Sequence, residues 1–518
     1  MDGRRRANLG YYFQPAARRL PEKAAVIDLW DGRERRISYA ALDARLDRIA
    51  ALTRILGLAP GARLFVCVGN RVEFLEIFFG AMRAGVVPVP ANPRLGAESL
   101  AHILADSGAV AAIVDPEANA HAPGVVERAG IMPRLSLVPR AGWDEFEAAM
   151  AAAPAAFEPP DLPADHPAFL PYTSGSTGKP KGVVLTHAGQ LWWLGCRHRL
   201  YPVAEETISL VAVPLFHKNA MGAAIKPNLL AGATLVVMPR FEAKTYLEAL
   251  SRYRCTHAPG VPTLFILLLQ EQDLIRRLDL SAFASIMVGS APVHEELVHA
   301  MERTFGVRVI QGYGLTEGGP VMFGPPTDGR AVPTGSVGVP WPEGEVKLVA
   351  PDGRAGVDYG ELWVKNPGVT PGYHNLPAVN RERFQDGFLK TGDVFSRDAA
   401  GFYFFRGRVD DMFVCGGENI YPKEVENLLM SHPRVAEACV VATDHGVKGR
   451  VPWAAVVAKA GAAIDEAMLK AHCLTHGPAY AHPRRVHVVE AMPLNGVGKI
   501  DRAAVKAMLD AWGGHSGT

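Results

Sequence analysis

Short unbroken apolar runs alternate along the chain with segments whose apolar positions recur at helical spacing. RLFVCVG at 63–69 ends in Gly-Asn and predicts a buried strand. Residues 71–84 then place Val72, Leu75, Phe78, Phe79 and Met82 along one helical face. A strand at 85–90, a helix at 97–105 and a strand in AVAAIV at 109–114 follow. Strands that are apolar at every position, separated by helices, predict a parallel sheet covered on both faces. The alternation returns at 208–214, 233–238, 256–270 and 284–310.

Residues 149–168 are rich in Ala and Pro and predict an irregular connector. From about 331 to 405, Gly-punctuated segments such as GELWV and GFYFF predict a β-rich subdomain. Beyond Arg408 the pattern becomes compact α+β. Pro422 opens a helix that puts Val425, Leu428 and Leu429 on one face, ACVVAT and VHVVE read as strands, and 501–512 reads as a closing helix. The expected fold class is α/β. A large N-terminal domain of parallel αβ-layered sheets carries the β-rich subdomain, and a small mobile α+β C-terminal domain follows. The break falls near 406–411, giving 1–409 and 410–518.

The 518 residues are 48% hydrophobic and 21% charged, which excludes disorder as the overall state. Lys and Arg total 54 against 53 Asp and Glu, a net charge of +1, so no general basic excess marks a nucleic-acid or anionic-membrane binder. The first residues are basic but never continue into an apolar core, and no apolar stretch approaches the roughly 18 residues of a membrane span. Six scattered cysteines without a C-x-x-C pair favour reduced thiols in a cytoplasmic protein.

The most informative segment is YTSGSTGKPKG at 172–182, where Thr173, Ser174, Gly175, Ser176, Thr177, Gly178, Lys179 and Lys181 are gathered. Glycines let backbone N–H groups crowd an anion, while hydroxyls and two lysines add donors and charge, a composition suited to a triphosphate. It departs from the Walker pattern, because Thr173 and Pro180 stand where that loop needs Gly and Ser/Thr.

This loop resembles the signature of the adenylate-forming (AMP-binding) superfamily, in its acyl-CoA synthetase or acid–CoA ligase branch. Further motifs follow in that family's order: PLFH at 214–217, GSAP at 289–292, GYGLTE at 312–317, TGD at 391–393, GRVDDMFVCGGENIYPKEVE at 407–426 and NGVGKID at 495–501. ISYAAL at 37–42 and VVPVPANPRL at 86–95 extend the resemblance over nearly the whole chain.

The resemblance implies roles residue by residue. Tyr313 would stack on adenine, flanked by Gln311, Gly312 and Gly314, with Ser290, Ala291 and Pro292 along the other side of the base. Asp393 and Arg408 would hold the ribose. Glu317 would hold Mg²⁺, a hard cation that needs few carboxylates besides phosphate and water. Lys499 would enter the site and bridge the acyl carboxylate and the α-phosphate, where two anions must meet; Thr316 and His217 stand with it at the reacting end. The implied reaction is ATP-dependent formation of acyl-AMP and pyrophosphate, then transfer of the acyl group to coenzyme A. For the second step the small domain would turn about Asp410 and present Cys415, Gly416, Gly417 and Glu418 to the pantetheine arm. The chain departs from the pattern at Ala481, where relatives usually carry Lys, leaving Arg484 and Arg485 as the nearby cations.

The acyl pocket implied by the family involves Trp192 or Trp193, His217, Lys218, Asn219, Met221, Val288, Gly289, Gly314, Gly318 and Gly319. His217 stands where amino-acid-activating relatives carry Asp, which argues against an amino-acid substrate. The tryptophans either shorten the pocket, favouring an aromatic or short-to-medium-chain acid, or pack a helix. Lys218 either turns to solvent or meets a polar acyl tail. A stand-alone enzyme loading carrier-protein phosphopantetheine and a silent nucleotide-binding homologue remain as alternatives. The intact Lys499, Glu317 and Asp393 disfavour the silent form, and the absence of a carrier segment after the last helix favours free coenzyme A. The resemblance leaves a homodimer open.

Overall fold

The structure is a computed structural model that describes residues 2–514 apart from 174–178, 290–292, 294, 416–417, 446–448, 480 and 496–497; for 320, 321, 418, 419, 449 and 514 it describes the backbone alone. Two sheets dominate the first part. One runs Val87–Pro90, Arg63–Cys67, Ala111–Val114, Arg134–Ser136, Asp144–Glu145, parallel throughout. The other is nine-stranded, with a parallel centre from Arg308–Leu315 through Ser285–Gly289, His257–Gly260, Ile208–Val211 and Thr234–Val237 to Ala24–Asp28. Arg63–Cys67, Ala111–Val114, Val87–Pro90 and Thr234–Val237 are buried on both faces, as their unbroken apolar runs require, whereas Ser285–Gly289 and Arg308–Leu315 are only partly covered beside the site.

The helix Val72–Arg83 differs from its sequence reading: every one of its residues is buried, not one face only. Its charged positions are tolerated because each meets a counter-charge. Glu73 takes Arg35 and Arg71, Glu76 takes Arg45, and Arg83 takes Asp43 and Asp47. Gly80 lets this helix approach Tyr39–Ile55 closely, since a Cβ there would lie 2.7 Å from Ile49. The predicted connector at 149–168 is irregular only between the helix Phe146–Ala152 and the strand Pro167–Phe169.

The β-rich segment forms an antiparallel sheet of Glu345–Val349, Tyr359–Lys365, Phe388–Arg397, Phe384–Gln385 and Tyr403–Arg408. From Phe413 a separate sheet begins (Phe413–Cys415, Glu418–Ile420, Val435–His445, Gly449–Ala458 and Arg485–Val488), with helices Pro422–Met430, Glu466–His476 and Arg502–Gly514 packed on it. A large N-terminal domain thus carries a small C-terminal one. The two touch through Lys459 and Glu296 at 3.3 Å and through the Tyr359 hydroxyl, 3.3 Å from a Glu424 carboxylate oxygen. All six cysteines are free and buried. No helix among the described residues is long and apolar enough to cross a membrane.

Candidate active site

The site lies at the carboxyl ends of the parallel strands, where loops leave a sheet and backbone groups face outward. Ser285–Gly289 and Arg308–Leu315 pair in register down to Gly289 opposite Gly312, and a Cβ on Gly289 would come within 3.0 Å of the Gly312 carbonyl oxygen. Tyr313 continues this strand after Gln311 and Gly312. Its ring packs edge-on to Phe323 and Phe395, and its hydroxyl donates to Asp393 Oδ2 at 2.5 Å. Arg408, the cross-strand partner of Asp393, donates to Oδ1 at 2.9 Å. Burial pushes the Asp393 carboxyl up, while the Arg408 guanidinium pulls it back. Both oxygens are thus oriented by a neighbour, and each keeps a lone pair for a further donor such as a hydroxyl.

Glu317 lies in the turn that follows Thr316. The Tyr373 hydroxyl donates to its Oε1 at 3.1 Å, and its carbonyl accepts from the Thr370 N–H at 2.7 Å. Among the described residues Oε2 carries no hydrogen bond. A carboxylate held by one oxygen, with the other available, fits a hard divalent cation that takes its remaining ligands from phosphate and water. Tyr373 was not visible in the sequence as a site residue, because it sits in a polar turn (GYHN) without a charge or glycine pattern.

His217 closes the short turn Lys218–Ala220 by accepting the Asn219 N–H on Nδ1, 3.1 Å away, and a π-helical turn, Met221–Ile225, follows. Wide turns of this kind displace side chains from the regular helical register. Burial, then the charges of Lys499 and Lys218, hold the His217 imidazole neutral, well below its ordinary range. Lys218 does not turn to solvent. Its ammonium donates to the Gly314 carbonyl, and burial together with Lys499 brings its pKa down to about 7, opposed by Glu317 and Asp393.

Lys499 enters from the small domain. Its loop is closed by the Asn495 N–H donating to the Lys499 carbonyl at 2.7 Å and the Lys499 N–H to Asn495 Oδ1 at 3.1 Å. Gly498 takes φ +78°, a conformation that favours glycine. The half-buried side chain lies within electrostatic reach of Asp393, Arg408, His217 and Lys218; loss of hydration lowers its pKa and Asp393 opposes that. The structure thus brings together Lys499, Glu317, Thr316, His217, Lys218, Tyr313, Gly314, Asp393 and Arg408.

On the acyl side, Trp193 is 1% exposed and stacks on Trp341 at 6.2 Å. Lys226 Nζ lies 4.8 Å over its ring and donates to Gln190 Oε1 at 2.6 Å. Gly319, at φ +102°, abuts the indole: a Cβ there would sit 3.7 Å from Trp193 Cδ1. Trp192 is only half-buried and lies against Gly368. The layer of Trp341, Lys226 and Gln190 behind Trp193 is tertiary and has no local sequence signature.

Thr173 and Lys181 pair across a short antiparallel hairpin at the root of the phosphate loop, and Lys179 is exposed. Ser174, Gly175, Ser176, Thr177 and Gly178 lie outside the described residues, as do Ser290, Ala291, Pro292, Gly416, Gly417 and the side chain of Glu418. Asp410 is exposed, 3.7 Å from Arg408. Arg485, one of the two cations left near Ala481, is occupied by Trp512, 4.4 Å from its guanidinium, and by Glu466 at 3.5 Å.

A carboxylate oriented by a tyrosine and an arginine, a second with one oxygen available and a cation delivered from the small domain are what an adenylate-forming enzyme requires. Residues 13–374 match the AMP-binding enzyme family and residues 424–499 the AMP-binding enzyme C-terminal domain. A feruloyl-CoA synthase from Amycolatopsis sp is 37% identical over 91% of this chain and 93% of its own. The long-chain-fatty-acid–CoA ligase FadD13 of Mycobacterium tuberculosis is 30% identical over 97% and 99%, and an indoleacetate–CoA ligase of Aromatoleum aromaticum is 30% identical over 92% and 94%. The solved structure of ATP-bound MatB from Rhodopseudomonas palustris superposes with a TM-score of 0.87 at 28% identity, covering 97% of this chain and 99% of that one. The chain belongs to the AMP-binding enzyme family. It is an acid–CoA ligase, an AMP-forming acyl-CoA synthetase that uses ATP and coenzyme A on a carboxylic acid.

Proposed function

We propose that this ligase activates an aromatic or short-to-medium-chain acid, and that Lys499 is the group that brings carboxylate and α-phosphate together. The observation that carries the reading is Lys499 itself: a half-buried lysine of the small domain within electrostatic reach of Asp393, His217 and Lys218 of the large one. In the first half-reaction a carboxylate oxygen attacks the α-phosphorus and pyrophosphate leaves. Two anions approach one another, so a cation between them lowers the barrier. Asp393 and Arg408 position the ribose, Tyr313 lies along the base, and neutral His217 packs the reacting end without adding charge. Glu317 would hold Mg²⁺, which would offset phosphate charge.

For the second half-reaction the domain of 410–518 would turn about Asp410 against that of 1–409, withdrawing Lys499 and bringing the 415–418 segment to the pantetheine arm. Among the described residues, the polar contacts between domains through Lys459–Glu296 and Tyr359–Glu424 are exposed and single, which supports a small domain free to leave. The feruloyl-CoA synthase and indoleacetate–CoA ligase relatives support an aromatic acid.

The test is ATP–pyrophosphate exchange with hydroxycinnamic, benzoic, indolic and C4–C16 alkanoic acids, followed by coenzyme A. The fastest exchange is expected with an aromatic or C4–C10 acid, and coenzyme A should then release AMP. A marked preference for C14 or longer acids would overturn the substrate class. Exchange without AMP release on adding coenzyme A would point instead to a carrier-bound thiol.

A further inference from the structure

Two lysines from different domains meet at the reacting end of the site, and only one of them can leave with the small domain. Lys218 belongs to the large domain. Its turn is fixed by His217 on the Asn219 N–H, and its ammonium donates to the Gly314 carbonyl. Lys499 is close enough to bear on both Lys218 and His217. Among the described residues neither ammonium is hydrogen-bonded to a carboxylate; Glu317 and Asp393, the nearest anions, are engaged by Tyr373 and by Tyr313 with Arg408. Two cations held together without a bonded counter-ion make a receptor for anions.

We propose that Lys218 is the resident cation of this site, holding the phosphate of the acyl-adenylate and of the departing AMP while coenzyme A attacks. The inference rests on the domain movement proposed above. In that step the thiol loses its proton to water, the thiolate sulfur bonds to the acyl carbon, and the mixed-anhydride C–O bond breaks. The bonding electron pair goes to the AMP phosphate, whose charge rises from −1 to −2. The charge to be stabilised therefore grows at the moment when Lys499 is withdrawn. Lys218 remains, and because its ammonium is bound to a carbonyl rather than a carboxylate, its charge is left for the phosphate.

The experiment separates the half-reactions in full-length protein, using the acid that gives the fastest exchange and its preformed adenylate. Lys218→Met is expected to slow thioester formation from acyl-AMP and coenzyme A by about 10²- to 10³-fold, with exchange falling no more than about tenfold. Lys218→Arg should recover part of the loss. Lys218→Gln keeps a donor for the Gly314 carbonyl without the charge, so it should behave like the Met variant; wild-type rates in Lys218→Gln would overturn the proposal. So would equal losses in both half-reactions, the mark of a merely structural residue. Lys499→Ala is the mirror control, losing exchange and keeping thioester formation. If it loses both equally, the domain movement fails and the proposal falls with it. If it behaves as expected while Lys218→Met leaves thioester formation intact, only the role of Lys218 is overturned.

Discussion

Two clusters built around cations stand in this chain in very different company. At Arg83 the side chain is wholly buried and its guanidinium donates to the Gly10 carbonyl at 2.9 Å, to the Asp43 carbonyl at 2.9 Å, to Asp47 Oδ1 at 2.7 Å and to the Asp43 carboxylate, with Tyr11 beneath it at 4.3 Å. At Lys218 and Lys499 the cations lie within electrostatic reach of each other, one carbonyl is bonded, and the pKa of each is pushed down. Arginine's rigid fork suits a fixed set of acceptors, whereas the compact ammonium of lysine shifts its pKa readily and keeps its charge for a ligand. At Arg83 the saturated charge serves architecture; at Lys218 and Lys499 the charge without a bonded carboxylate stands at the reacting end.

Removing Arg83 is the severest way to break the architectural side. Arg83→Met leaves Asp43 and Asp47 without their charged partner, keeping Gln14 and the Tyr11 hydroxyl as donors, and loss of one member of a buried pair costs about 3–5 kcal/mol. Both carboxylates keep some solvent, at 21% and 17% side-chain exposure, so they can rehydrate and the loss should fall near the lower end, about 3 kcal/mol. Thermal and urea midpoints should drop clearly, while the half-reaction rates of the folded fraction stay within about twofold of wild type. A change in the ratio of the two half-reactions would erase the distinction between the clusters.

The sequence exposed these two clusters unequally. Lys499, Glu317 and Asp393 were readable because each lies in a motif whose order along the chain carries information. The parallel sheets were readable from apolar runs without alternation. Arg83 was not: the 71–84 segment shows an amphipathic pattern, and only tertiary partners from 43, 47 and 10 reveal that its polar side is also inside. Lys218 left two readings open for the same reason, since the Gly314 carbonyl that receives its ammonium is 96 residues away. Tyr373, Trp341 and Lys226 likewise acquire their places only when distant segments pack together.

A third kind of buried titratable group lies between the extremes. His187 Nδ1 accepts the Leu9 N–H at 2.9 Å, its ring stacks on His166, and burial lowers its pKa to about 3. In the unfolded chain a histidine titrates near about 6.5, so between pH 6.5 and 3 the unfolded state binds the extra proton. Its contribution is complete above pH 6.5 and is lost as pH falls through that window, by about 2 kcal/mol at pH 5. His187→Gln removes the titration, so its urea midpoint should fall less steeply than wild type between pH 7 and 5. Parallel curves would show that the histidine is not held neutral in the folded protein.

The smallest effect tests whether a neutral partner can matter at the chemical cluster. Tyr373 donates to Glu317 Oε1 at 3.1 Å and carries no charge of its own, so Tyr373→Phe removes one oriented donor and leaves the net charge of the site unchanged. Hydrogen bonds to charged groups contribute about 1.5–3 kcal/mol, and water reaching the half-buried carboxylate should replace part of that. Acyl-AMP formation should therefore slow by about tenfold, roughly 1.4 kcal/mol, with a higher Mg²⁺ concentration needed for half-maximal exchange and little change in thermal midpoint. The Mg²⁺ dependence is the informative readout. If Tyr373 only fills space, Phe fills it equally well and the Mg²⁺ curve will not move; if it aims Glu317 at the metal, the curve shifts while the fold does not. That shift would place a neutral hydroxyl on the chemical side of the division, set there by the group it orients rather than by charge.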